Sequence, residues 1–253
     1  MMPEYLHQYH LSPVQWAIAI AASVILGISK AGINAVSIVT VTMLAHVFGS
    51  RTSTGILLPM LITADILAVW HYKRHTQWPY LVRMLPWMAV GVLLGTWFGK
   101  DLDESLFKKV MAGIILFTVA MMIWFDQKKQ VYVPGHWAFA GSLGLSAGFT
   151  SMVGNLAGGF SNIYFLSMRL SKVHFIGTSA WLFMLVNTFK LPFHVFAWKT
   201  VNADSIGINL ALLPFLIIGF FTGIRIVRVM AEERYRQMIL WLTAIGVVVM
   251  LFF

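Results

Sequence analysis

The sequence predicts an all-α integral membrane protein built from two inverted repeats of about five hydrophobic segments each. Broken or re-entrant helix pairs are expected to meet near the midplane. Three observations predict it: an apolar composition, a regular succession of apolar segments, and a long internal repeat. The 253 residues are 59% hydrophobic and only 11% charged, with a mean hydropathy of +0.79. Soluble domains carry about 25% charged residues, so this chain has too little polar surface to face water.

The segments fall at about 14–29, 35–49, 54–72, 80–99, 106–125, 137–152, 156–168, 174–196, 206–226 and 234–253. Most approach the roughly 20 residues that cross a bilayer. The second and seventh are short and read as half-spans or re-entrant pieces. No Lys or Arg precedes the first segment, whereas a cleavable signal has a basic start, so that segment is expected to be retained. Cysteine is absent, which excludes disulfides and thiolate chemistry.

Comparing the halves gives the repeat, over 1–130 and 131–253. Gly27, Ser29 and Asn34 return 121 positions later as Gly148, Thr150 and Asn155. Gly55 and Asp65 return as Gly177 and Asn187, at an offset of 122. Later the offset is 128, through Pro86/Pro214, Gly91/Gly219, Gly95/Gly223, Glu104/Glu232 and Phe107/Tyr235. An odd number of segments per half gives the halves opposite orientations, an architecture of secondary transporters with a site at the repeat interface.

Orientation follows from Lys and Arg, which collect in cytoplasmic loops. With the N-terminus outside, Lys30, Lys73, Arg74, Arg83, Lys128, Lys129, Arg169, Lys172, Arg225, Arg228, Arg234 and Arg236 face inward. Arg51, Lys100, Lys108, Lys109, Lys190 and Lys199 then lie outside or within the membrane. Both termini are therefore expected to be periplasmic. The net charge of +9 is read as this topogenic bias and not as a nucleic-acid surface.

Charges inside spans are costly and mark ion or substrate paths. Asp65 is the one acidic residue inside an apolar segment, and Lys30 and Lys190 are the basic candidates for burial. The stretch GISKAGINA (27–35) and its mate GFTSMVGNL (148–156) each carry a hydroxyl, a Gly and an Asn between apolar pieces. Half-helices starting near Asn34 and Asn155 would aim N–H groups and positive dipole ends at one space, an anion site. The candidates for substrate binding are Lys30, Ser29, Asn34, Thr150, Ser151, Asn155 and Lys190, and for coupling or gating Asp65, Asn187 and His194. Plainer readings stand beside these: both lysines snorkelling to the interface, Asp65 as a structural partner, and both breaks as surface loops. Gly91, Gly95 and Gly99 are read as close-packing residues. His71 and His75 lie in a basic stretch that would repel a metal.

HYKR (71–74) before LPWMAVGVLLGTWFG (85–99), and NTFKLP (187–192) before LLPFLIIGFFTGIRI (212–226), resemble the TauE/SafE family of sulfite and organosulfonate exporters. The paired stretches 27–49 and 148–168 fit that family's two-repeat layout, although the family's glycine run followed by proline is absent from both. The resemblance implies a bacterial inner-membrane exporter of a small sulfur-containing anion, and neither an enzyme nor a cofactor-binding protein. The partners expected are that anion (sulfite, a sulfonate or similar), membrane lipids and, as one option, a second copy in a homodimer, with no nucleic acid. An anion channel and a membrane-embedded enzyme remain the alternative classes at this point.

Overall fold

A computed structural model describes residues 11–33, 36–127, 137–231 and 234–235. The described residues form nine α-helices and no strand. These are α1 (Pro13–Lys30), α2 (Ser37–Phe48), α3 (Ser50–Tyr72), α4 (Trp78–Gly99), α5 (Glu104–Gln127), α6 (Trp137–Gly154), α7 (Ala157–Ser167), α8 (Lys172–Pro192) and α9 (Ala203–Val229). Most of the tenth apolar segment, and Glu232, lie outside the described residues. Among the described residues, five helical stretches are long and apolar enough to cross a membrane: Pro13–Lys30, Ser50–His75, Trp78–Gly99, Lys172–Ala197 and Ala203–Val229.

Local chemistry sets the helix ends. Ser12 and Gln15 form a capping box ahead of Pro13, and Asn202 and Ser205 form another at the start of α9, each satisfying N–H groups that a helix start leaves without partners. Pro192 ends α8, and the chain continues through a π-type turn over Phe193–Ala197. As expected, α2 and α7 are short, with 12 and 11 residues. At about 1.5 Å per residue neither crosses a bilayer alone.

Packing joins the first half of the chain to the second: α4 lies on α6, α1 on α9 and α3 on α8. Glycines make the first two crossings tight. A Cβ on Gly91 would overlap the backbone oxygen of Leu145, and one on Gly148 that of Met88. At the other crossing Gly219 faces the Val24 oxygen and Gly27 the Leu216 oxygen in the same way. Gly91 is one of the close-packing glycines the sequence predicts and Gly219 stands at its repeat position; Gly27 and Gly148, read from sequence as parts of the two helix breaks, serve the same crossings.

The central helices α3 and α8 run antiparallel. The start of α8 lies beside the end of α3, where Thr76 Oγ1 donates to the Gly177 carbonyl and the Gln77 N–H to Thr178 Oγ1. At the opposite end Gly55, early in α3, fits against Thr200, just past α8. Around this pair sits one apolar core that takes residues from all nine helices.

Candidate functional site between two helix breaks

The helix pair α6–α7 is broken by a local hydrogen-bond motif. The Asn155 N–H donates to the Ser151 carbonyl, the bond of an αL helix ending, and the Leu156 N–H donates to the Thr150 carbonyl. That ending needs a left-handed residue, and Asn155 supplies it at φ 57°; among non-glycine residues Asn tolerates this region well. The α1–α2 break turns at Gly32, φ 136°, which only glycine adopts freely. Its end carbonyls are capped from afar: Tyr72 OH donates to the Ala31 oxygen and Tyr235 OH to the Gly32 oxygen.

Beyond each break a short helix begins without a side-chain cap: neither Val36, ahead of α2, nor Leu156, ahead of α7, provides one. A helix start leaves up to four N–H groups without intrahelical partners and carries the positive end of the dipole. Ser37 of α2 and Ala157 and Gly158 of α7 line one common cavity. The two positive ends therefore converge.

The charged groups lie at the same place. Lys30 Nζ is 2.6 Å from Asp65 Oδ1, with the two side chains 7% and 0% exposed. Asn187 Nδ2 donates to the other oxygen, Asp65 Oδ2, at 2.6 Å. Asp65 and Asn187 are the positions that the sequence relates at an offset of 122, and here they touch. Lys190 Nζ, fully buried, donates to the Ser151 carbonyl and Oγ at 3.0 Å each and to Asn155 Oδ1 at 2.6 Å. Those are the three bonds an ammonium has to give. The Phe183 ring lies 4.4 Å from Lys30 Nζ, within cation–π range.

Ser29, Lys30, Ser151, Asn155 and Asn187 line the cavity together with Ser37, Leu61, Ala157, Gly158 and Phe183. Its volume is about 20 Å³, near what a single water requires. Ser29 Oγ is buried there without a hydrogen-bond partner. A buried hydroxyl left unbonded is costly, and Ser29 is one of the residues that line this cavity.

Of the residues singled out from sequence, the structure thus gathers Ser29, Lys30, Asp65, Ser151, Asn155, Asn187 and Lys190. Asn34 lies outside the described residues. Thr150 is placed elsewhere: its Oγ1 donates back to the Ser146 carbonyl at 2.8 Å and it borders a separate apolar crevice. His194 is also away from the cavity wall. It bonds Thr200 Oγ1 through Nδ1 at 2.8 Å and meets the Trp198 ring edge-on, while its Nε2 is buried without a partner. The snorkelling alternative fails for both lysines, because each amine is held by buried polar partners. Sequence reasoning missed Leu61 and Phe183, which carry no polar signal, and Ser37, one serine in an apolar helix.

A family model described as Sulfite exporter TauE/SafE matches residues 16–250. No curated protein and no solved structure matches the chain. The match spans both helix breaks, the α3–α8 pair and every residue of the buried cluster: the chain belongs to the TauE/SafE family of sulfite exporters.

Proposed function

We propose that the protein is a secondary transporter that exports a small sulfur-containing anion, sulfite or an organosulfonate, by alternating access. The anion binds in the cavity between the two helix breaks. One observation carries this reading: Lys30 and two helix starts without side-chain caps line one cavity, and the buried polar cluster behind its wall adds a second lysine, Lys190, and a single carboxylate, Asp65. With these three side chains ionised, one positive charge is left over. Buried charge is costly unless paired, and an anion bound against Lys30, Ser29 and the N–H groups of α2 and α7 would pair it.

The cavity is too small for an oxyanion without movement of its walls, so the arrangement corresponds to a closed stage of the cycle. Asp65 occupies Lys30 at this stage, and the arriving anion competes for the same ammonium. The paired crossings α4–α6 and α1–α9, and the contact of Asp65 with Asn187, support the reading of 1–130 and 131–253 as inverted repeats about an axis near that contact. The charge bias of the loops supports an inner-membrane protein with both termini periplasmic.

Flux of labelled sulfite and sulfoacetate in proteoliposomes tests the function. The expected result is saturable flux that falls at least tenfold in the Lys30→Ala, Lys190→Ala double variant. Wild-type rates in that variant would remove the site, and flux that never saturates would favour a channel.

A further inference from the structure

Arg51, in the first turn of α3, reaches across to the end of α4. Its guanidinium donates to the Leu102 carbonyl at 2.7 Å and the Lys100 carbonyl at 2.9 Å, and it lies 5.4 Å from the Trp198 ring. Lys172, the first residue of α8, reaches the end of α9 in the same manner, donating to the Met230 carbonyl at 2.6 Å and the Val227 carbonyl at 3.1 Å. The two contacts are repeat mates. Arg51 and Lys172 are 121 positions apart, and Leu102 and Met230 are 128 apart, the offsets that relate the two halves at those places. A cation at the carbonyl end of a helix is stabilised by the dipole, yet neither α4 nor α9 is held there by its own residues alone.

The clamps sit at opposite ends of the molecule, because α3 and α8 are antiparallel. Arg51 lies at the Gly55–Thr200 end and Lys172 at the Thr76–Gly177 end. Each clamped helix is locked by a glycine crossing to the helix that carries one wall of the cavity. Behind Arg51, α4 holds α6, which carries Ser151 and leads into Asn155; behind Lys172, α9 holds α1 with Ser29 and Lys30. Releasing one clamp removes, at one end, a tie of that wall to the central pair, leaving the buried bonds Lys30–Asp65 and Lys190–Ser151 to hold the walls at the cavity.

We propose that Arg51 and Lys172 are the two gate clamps of the transport cycle, one for each face of the membrane, opened in alternation. The proposal rests on the alternating-access reading above and adds the residues that time it. Both clamps are made in this structure, in keeping with the small cavity they enclose.

The absence of cysteine makes the test direct. Leu61→Cys or Ala157→Cys places a lone thiol in the cavity wall, to be labelled by a membrane-impermeant maleimide in right-side-out and inside-out vesicles. Arg51→Gln is expected to speed labelling at least tenfold from one face only, and Lys172→Gln from the opposite face only. Arg51→Lys and Lys172→Arg should restore slow labelling. Where Arg51→Gln does not fold, Trp198→Phe, which cuts the indole bond to the Thr96 carbonyl, loosens the same end and should open the same face. A rise from the same face in both variants, a rise from both faces in either, or no rise overturns the clamps. Mirrored labelling in a protein that moves no sulfite would keep the clamps and reject the substrate. Sulfite flux with unmirrored labelling would do the reverse.

Discussion

At Asp65 both carboxylate oxygens are occupied, one by the Lys30 ammonium and one by the Asn187 amide; in the proposed cycle the side chain is an internal stand-in for the transported anion. Asp65→Asn leaves Lys30 buried without its counter-charge. Breaking a buried pair in this way costs about 3–5 kcal/mol. If sulfite takes the same ammonium, the loss should be recovered when sulfite is present. The expected outcome is a lowered Tm for Asp65→Asn in detergent, raised more by sulfite than the wild-type Tm is. Lys30→Met should respond least, since it removes the charge for which both anions compete. Thermal unfolding of the three proteins across a sulfite series checks this, and equal shifts in all three would reject the competition. Ser29→Ala is a finer probe. It removes an unbonded buried hydroxyl, so it should leave stability unchanged or slightly raised while weakening anion-dependent stabilisation.

Among the elements, the two glycine crossings set how α4 meets α6 and α1 meets α9. Gly91→Ala and Gly219→Ala each push a methyl into a backbone carbonyl, and overpacking of this kind costs about 1–3 kcal/mol. Gly113→Ala is the control, because nothing lies within 4 Å of its Cβ position. There alanine's better helix propensity, worth about 0.5–1 kcal/mol, should leave stability unchanged or raised. Denaturant unfolding of the three variants separates the cases, and equal losses at all three positions would mean the crossings are not tight. These glycines were readable in the sequence because close approach admits little else, so the pattern survives in both halves. The buried cluster was readable for a related reason: Lys30, Asp65 and Lys190 are conspicuous in apolar segments, and Asn187 stands at Asp65's repeat position. The clamps were not read. Arg51 and Lys172 look like ordinary loop charges, and their acceptors are backbone carbonyls, which leave no trace in side-chain chemistry. Only the offset of 121 between them could have flagged the pair. Thr150 misled for a local reason, since a helical threonine can spend its hydroxyl on the carbonyl one turn back.

For the whole molecule the question is what drives net export. In the proposed inverted arrangement around one central site there is no built-in direction, so direction would come from the gradients across the membrane. A potential of 100 mV, negative inside, favours exit of one negative charge by about 2.3 kcal/mol, roughly a fifty-fold concentration ratio at 1.4 kcal/mol per decade. The described structure offers one buried carboxylate and no cluster of three or more His, Cys, Asp or Glu side chains that could hold a metal cation. In the proposed cycle the charge of the substrate is itself a handle for the membrane potential. Sulfite efflux from proteoliposomes is accordingly expected to speed up when a potassium diffusion potential makes the interior negative, and to slow when the sign is reversed. With pH held equal on both sides, each turnover should carry net negative charge outward, read as a current on solid-supported membranes. Loss of that current in the Lys30→Ala, Lys190→Ala variant would tie it to the cavity. Efflux insensitive to the potential but responsive to a pH gradient would instead mean that a proton travels with the anion. Asp65 would then be the carrier to test first, because among the described residues it is the buried carboxylate bonded to both lysine-bearing halves of the site, through Lys30 directly and through Asn187 on the helix of Lys190.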